Sequence, residues 1–227
     1  MTLSVPEIRV LATLIEKEIT TPEYYPMTLN ALTNACNQKT NRDPVTNLDE
    51  TDVIEAFDKL VKQGLARFVD EGASRVAKHR QRLVETLKLT SAQTAILCEL
   101  MLRGPQTTGE LKGRAERMHS CADLVEVETV LNALAARSHE GTPEPLVVRL
   151  PRQAGQKEAR WMHLLGGEPD MALMAMHIPA KNNEPDATNP RGVQEERIAH
   201  LEEQVSILKA ELRTLREEFT AFKRQFE

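Results

Sequence analysis

Apolar residues recur at helical spacing from the start of the chain. In SVPEIRVLATLIEKEI (residues 4–19), Ile8, Leu11, Leu14 and Ile15 form one stripe. Ser4 is positioned to cap this helix, with Pro6 in its first turn. MTLNALTNAC predicts a short second helix with Leu29 and Leu32 inward. Glu50–Gln63 predicts a third, with Val53, Ile54, Phe57, Leu60 and Val61 inward, Asp49 as its cap and Gly64 as its stop. The spacing then shortens. Leu65 to Val69, the turn residues DEG and a resumption at Val76 predict a β-hairpin.

The same order recurs downstream. Ile96, Leu97, Leu100 and Met101 stand in register with Val10, Leu11, Leu14 and Ile15. TTGELKGRAERM (107–118) takes the place of the second helix and DLVEVETVLNALAAR (123–137) that of the third. A second hairpin is expected from strands at about 146–150 and 159–164. Three helices and a hairpin, twice, predict a mainly α chain with small β-hairpins (α+β), built as two tandem winged-helix domains at 1–85 and 86–177. Residues 178–192, rich in Pro, Asn and Gly, read as a flexible linker. Beyond it, at 193–227, Ile198, Leu201, Val205, Leu208, Leu212, Leu215, Phe219, Phe222 and Phe226 alternate spacings of three and four. That is a heptad seam. β-Branched a positions over Leu at d, with the pairs Arg197–Glu202, Glu211–Arg216 and Glu218–Lys223, predict a parallel homodimer through 198–226.

Composition supports the helical reading: aromatics are 4% of the chain and Gly numbers 10. No apolar stretch approaches the length of a membrane span, and no basic-then-apolar leader opens the chain. With three widely spaced cysteines (Cys36, Cys98, Cys121), a reduced, cytoplasmic setting is expected. The net charge is −5, and no segment is basic overall, so any grip on nucleic acid must be local.

The third helices offer Glu50, Thr51, Asp52, Glu55, Asp58 and Lys62 in the first copy, and Asp123, Glu126, Glu128 and Asn132 in the second. Carboxylates facing phosphates disfavour ordinary recognition-helix readout. Positive charge gathers elsewhere: Arg75, Lys78, His79, Arg80 and Arg82 on the first wing, Lys112, Arg114 and Arg117 on the second helix of copy two, and Arg149, Arg152, Lys157 and Arg160 on the second hairpin. Wings lie along phosphates or in a minor groove, where arginine is suited; the same charges would serve equally as solvated faces.

The polar 37–48 loop is twelve residues, where a helix-turn-helix turn needs about three or four. One reading is a self-bonded loop capping the third helix through Asx turns. The other is that Asn37, Gln38, Lys39, Asn41 and Arg42 present amides and cations to a partner. Catalysis finds no support. The six histidines match no zincin spacing, and no phosphate-binding glycine loop is present. His119 and Cys121 stand two apart without a second ligand pair, so no metal or cofactor is expected. Cys36 and Cys98 read as core residues.

LIEKEITTPEYYPMTLNALTNACNQKTNRDPV (Leu14–Val45), LMLRGPQTTGEL (100–111) and RWMHLLGG (160–167) resemble the motifs of the YceH-like family of bacterial proteins. The resemblance covers about residues 3–167. It implies tandem winged-helix folds and brings no activity with it. Two functions follow as expectations: a dimeric protein holding double-stranded DNA through its wings and polar loop, or an adaptor binding another protein through its acidic third helices.

Overall fold

The computed structural model describes residues 2–69, 77–139, 142–152, 156 and 158–167. These residues belong to one compact unit. Its order is α1 (Val5–Thr20), a 3₁₀ turn at Pro22–Tyr24, α2 (Leu29–Cys36), α3 (Glu50–Lys62), the hairpin strands β1 (Ala66–Val69) and β2 (Lys78–Gln81), then α4 (Leu83–Leu87). There follow α5 (Ser91–Arg103), α6 (Thr108–Ala115), α7 (Leu124–Ala135), a two-residue ladder β3 (Ser138–His139) with β4 (Thr142–Pro143), and the hairpin β5 (Val147–Arg149) with β6 (Trp161–His163). The chain is thus α-rich with small antiparallel hairpins. None of the described helices is long and apolar enough to cross a membrane. The heptad segment and the linker before it lie outside the described residues.

The helix starts obey the capping logic of the sequence. Ser4 and Thr90 cap α1 and α5, Thr28 and Thr107 cap α2 and α6, and Asp49 and Asp123 cap α3 and α7. Each pair holds the same place in the two halves, satisfying N–H groups that the first turn leaves open. Gly64, at φ +73°, ends α3 in a conformation that a residue with a Cβ rarely adopts.

The halves repeat at a finer level. Ala66 pairs with Gln81 and Val69 with Lys78 in the first hairpin, and Val147 pairs with His163 in the second. In each half the residue before the second helix's cap bridges the returning strand. Met27 exchanges both backbone hydrogen bonds with His79 (3.2 and 2.8 Å), and Gln106 does so with Trp161 (3.0 and 2.7 Å). His79 and Trp161 therefore hold one structural position. Both are buried, and the His79 ring stands edge-on to Phe57 at 4.5 Å.

α1 packs on α2 and α3 and also on α5. Val10, Leu11, Ala12 and Leu14 have no exposed surface, and the Cys98 thiol donates to the Ala12 carbonyl at 3.3 Å. One core therefore runs through both halves. Two elements depart from the sequence expectation. The joint across Gln81–Thr90 contains α4, whose Leu83 and Leu87 are buried, and the β3–β4 ladder precedes the expected hairpin. A five-residue helix and two-residue strands are too short to show periodicity.

His163 carries a pH dependence. Burial alone pushes its imidazole down to about 4. The pKa of the folded form thus lies below the unfolded value near 6.5, so the stability this neutral ring contributes is present above that value and is lost as pH falls toward 4. A shift of that size corresponds to roughly 3 kcal/mol. His79, also lowered by burial, adds to the loss in the same direction. The midpoint of urea unfolding should fall between pH 7 and pH 4.5, and a His163→Leu variant should flatten that decline; equal slopes in the two proteins would refute the assignment.

Candidate functional site

The polar loop between α2 and α3 is held from within. Asn37 sits at the end of α2 and uses both ends of its amide. Its Nδ2 donates to the Leu48 carbonyl at 2.7 Å, while its Oδ1 accepts from Leu48 N–H at 2.8 Å and from the Thr46 hydroxyl at 3.1 Å. This closes the loop onto the approach to α3. Gln38 accepts from Lys17 at 3.3 Å and Arg42 at 3.4 Å. Asn41 adopts φ +57°, a left-handed conformation that asparagine tolerates, and its Oδ1 accepts from Arg103 of α5 at 2.6 Å. The Arg9 guanidinium donates to the Pro44 carbonyl at 2.6 Å, and Asp43 N–H donates to Leu102 O at 3.0 Å. Lys39 is exposed.

Arg42 corrects the expectation that the loop turns both of its cations outward. Its side chain is 0% exposed. Nη1 donates to Glu16 Oε1 at 3.1 Å and to the Asn41 carbonyl at 3.0 Å, and Nη2 donates to Glu16 Oε2 at 2.5 Å and to the Ala35 carbonyl at 3.0 Å. A guanidinium follows the carboxylate that can pair with it, and that carboxylate lies inside α1. Glu16 is shared: Arg117, just beyond α6, donates to Glu16 Oε1 and also to Glu99 Oε1 of α5 at 2.7 Å. Arg103 Nε lies 3.3 Å from Glu99 Oε2, an ion pair without hydrogen-bond geometry. Two buried carboxylates and three arginines thus form one network across the two halves. Burial pushes the Glu16 carboxyl up, but the hydrogen bonds and charges of Arg42 and Arg117 outweigh it and hold the group below its ordinary range. The Arg117 guanidinium is desolvated too, yet its two carboxylates raise its pKa.

Four of the other expected cations have acidic or carbonyl partners nearby. Arg80 donates to Glu18 at 3.2 Å, Arg82 lies 3.5 Å from Glu85, and Arg114 donates to Gln106 at 2.7 Å with Glu110 at 3.7 Å. Arg160 donates to the Pro105 carbonyl at 2.8 Å and lies 3.3 Å from Glu110. Lys78 lies on β2, Lys112 is half-buried on α6, and Arg149 and Arg152 are exposed at the end of the second hairpin's first strand. Arg75, Lys157 and the dimerisation positions Ile198, Leu201, Val205, Leu208, Leu212, Leu215, Phe219 and Phe222 lie outside the described residues. On the third helices, Glu50, Asp52, Glu55 and Asp58 are exposed, as are Leu124, Val125, Glu128 and Asn132.

Glu16 and Glu99 gave no expectation in the sequence, and Arg117, expected there as a surface cation, is instead held by both carboxylates. A signal was present: Glu16 follows directly on the apolar stripe of α1, and Glu99 sits within AILCELML. A carboxylate on a face destined for the core requires a buried cation. A second grouping also forms. The ligand-bearing atoms of His119, Cys121 and Glu126 all lie within 4.8 Å of one another.

Removing one member of the network leaves its partner's charge uncompensated. Arg42→Met should lower unfolding free energy by about 3–5 kcal/mol, whereas Lys39→Ala, at an exposed position, should stay within about 0.5 kcal/mol. Urea unfolding followed by fluorescence of Trp161, the single tryptophan, reads both; similar effects from the two substitutions would contradict the inward assignment of Arg42.

The family described as "Protein of unknown function, DUF480" matches residues 3–156. A UPF0502 protein of Geotalea uraniireducens (strain Rf4) is 53% identical over 231 residues, covering 100% of this chain and 99% of the relative. One from Pelobacter propionicus (strain DSM 2379 / NBRC 103807 / OttBd1) is 52% identical over 227 residues, covering 100% and 99%. Another, from Solibacter usitatus (strain Ellin6076), is 46% identical over 225 residues, covering 99% and 98%. These similarities run past residue 167, so the likeness takes in the heptad tail as well. The match over most of the chain and the identity along its length agree with the resemblance carried by the motifs: the chain belongs to the DUF480/UPF0502 family of bacterial proteins, consistent with a YceH-like identity.

Proposed function

We propose that the chain is a tandem winged-helix protein that works as a non-enzymatic adaptor, docking a basic protein surface on its acidic third helices. The winged-helix reading is supported by the order of helices and hairpins. It is supported further by the bridges Met27–His79 and Gln106–Trp161, which set a single residue beside the returning strand of each hairpin. Fold alone names no partner. The observation that carries the adaptor reading is the charge left outside. α3 exposes Glu50, Asp52, Glu55 and Asp58 against Lys59 and Lys62, and of the two cations expected from the loop Arg42 is engaged with Glu16, which leaves Lys39 outside. An acidic face repels phosphate and attracts a basic protein segment. The heptad seam at 198–226 would pair two such modules in a homodimer and raise avidity for a repetitive partner.

A second reading, DNA contact through the first hairpin, is favoured by one specific observation. Arg67 and Arg80 are directly opposed across β1 and β2, both on exposed positions. Like charges opposite one another on a strand pair are costly, and among the described residues Glu18 pairs with Arg80 alone of the two.

The two readings separate in fluorescence anisotropy of the full-length protein with labelled mixed-sequence duplex DNA across a salt series. The adaptor reading expects no binding even at low salt. Binding whose log affinity falls steeply with log salt, by about 0.9 per phosphate contacted, and which Arg67→Ala with Arg80→Ala abolishes, would overturn it in favour of the hairpin.

A further inference from the structure

Residues 116–123 carry the chain from α6 to α7. Met118 and His119 N–H both donate to the Ala115 carbonyl at 2.8 Å, turning the backbone sharply after α6. At the other end, Asp123 caps α7 by accepting from Glu126 N–H at 2.9 Å, and Glu126 Oε2 folds back to accept from Ala122 N–H at 2.7 Å. These two bonds aim the Glu126 carboxylate over the connection, where its Oε1 lies 3.9 Å from His119 Nε2. Cys121 is 6% exposed, while the His119 and Glu126 side chains are 30% and 40% exposed. A buried thiol thus lies beside a partly exposed imidazole and a partly exposed carboxylate.

We propose that His119, Cys121 and Glu126 form a zinc-type metal site that staples the α6–α7 connection to the first turn of α7. Imidazole nitrogen, thiolate sulfur and carboxylate oxygen are the donor set of a borderline-soft divalent ion. Around a tetrahedral ion with bonds of about 2.0–2.3 Å, ligand atoms stand roughly 3.3–3.7 Å apart. The three atoms here lie within 4.8 Å, so side-chain rotation of about 1 Å closes the set. At 3.9 Å the His119–Glu126 contact is no hydrogen bond, so the ion breaks none in entering. Glu126 Oε2 keeps its bond from Ala122, which orients the ligating oxygen from outside the metal shell. A thiolate and a carboxylate balance the charge of a divalent ion, and the fourth position is left to water.

Two groups oppose a cation here: the positive end of α7 and the Lys112 ammonium, which acts electrostatically on Cys121. The carboxylates of Asp123 and Glu126 offset them. Burial, with the Glu126 charge, keeps the Cys121 thiol raised above its ordinary value, so metal entry must expel the thiol proton and weakens as pH falls.

Cobalt(II) reports such a site directly, through visible d–d bands and a near-ultraviolet sulfur-to-cobalt charge-transfer band. The full-length chain, stripped with chelator, should bind Co²⁺ saturably at a single site per chain with the sulfur band present, and Zn²⁺ should bleach it. Cys121→Ser should lose the band. His119→Ala and Glu126→Gln, at partly exposed positions that spare the fold, should each weaken binding about tenfold or more, with far-ultraviolet circular dichroism unchanged. No sulfur band at saturating Co²⁺, or a band of full intensity in Cys121→Ser, would overturn the proposal; the second result would place the metal on another thiol.

Discussion

A carboxylate taken out of water costs several kcal/mol unless cations meet it with good geometry. Glu16 is 1% exposed, and everything around it is arranged to meet that demand. Arg42 must turn inward, so the loop that carries it must close over α2. Arg117 must reach across from the end of α6, so the second half must sit where α5 meets α1. Glu99 then shares Arg117, and Arg103 spans the gap between Glu99 and Asn41 of the loop. The twelve-residue polar segment is ordered because its own backbone and side chains are tied to this network and to Leu102, Arg9 and Leu48. Apolar packing of α1 on α5 would tolerate some sliding. A shared pair of guanidiniums tolerates far less, since their donors fit carboxylates only at fixed angles.

Much of the local structure could be read directly. Ser4, Thr28, Asp49, Thr90, Thr107 and Asp123 are residue types that satisfy open N–H groups, and each begins a helix where the apolar stripe begins. The hairpins announced themselves by a change of spacing, although the second is shorter than 146–150 and 159–164 suggested. What could not be read was direction. Nothing local to Arg42 distinguishes a cation facing solvent from one reaching a carboxylate 26 positions earlier in the chain. Cys36 and Cys98, placed in the core by their apolar neighbours, are buried there, and burial raises both thiols, Cys36 to about 11. Glu126 belongs to no ligand spacing with His119 and Cys121 because it stands on the next helix; its return toward them comes from two local bonds, the cap made by Asp123 and the Ala122 N–H.

The two halves share a frame and differ in dress. Caps, bridges and hairpins recur, yet the returning strand places a histidine against Phe57 in one half and the chain's single tryptophan in the other. The third helices diverge similarly. α3 shows solvent a run of carboxylates, whereas α7 opens with exposed Leu124 and Val125.

α1 is enclosed on nearly every side: from Glu7 to Glu16 every residue is buried, part of it by α2 and α3 and part by α5. α5 begins at Ser91, long after α1 has left the ribosome. Until it arrives, the newborn first half carries a helix whose second greasy flank, with a lone half-neutralised acid at its edge, faces water. At about 5–20 residues per second, that interval lasts several seconds. The chain is therefore most exposed to clumping at the moment it is half made, and a product cut at residue 85 would be frozen in that state.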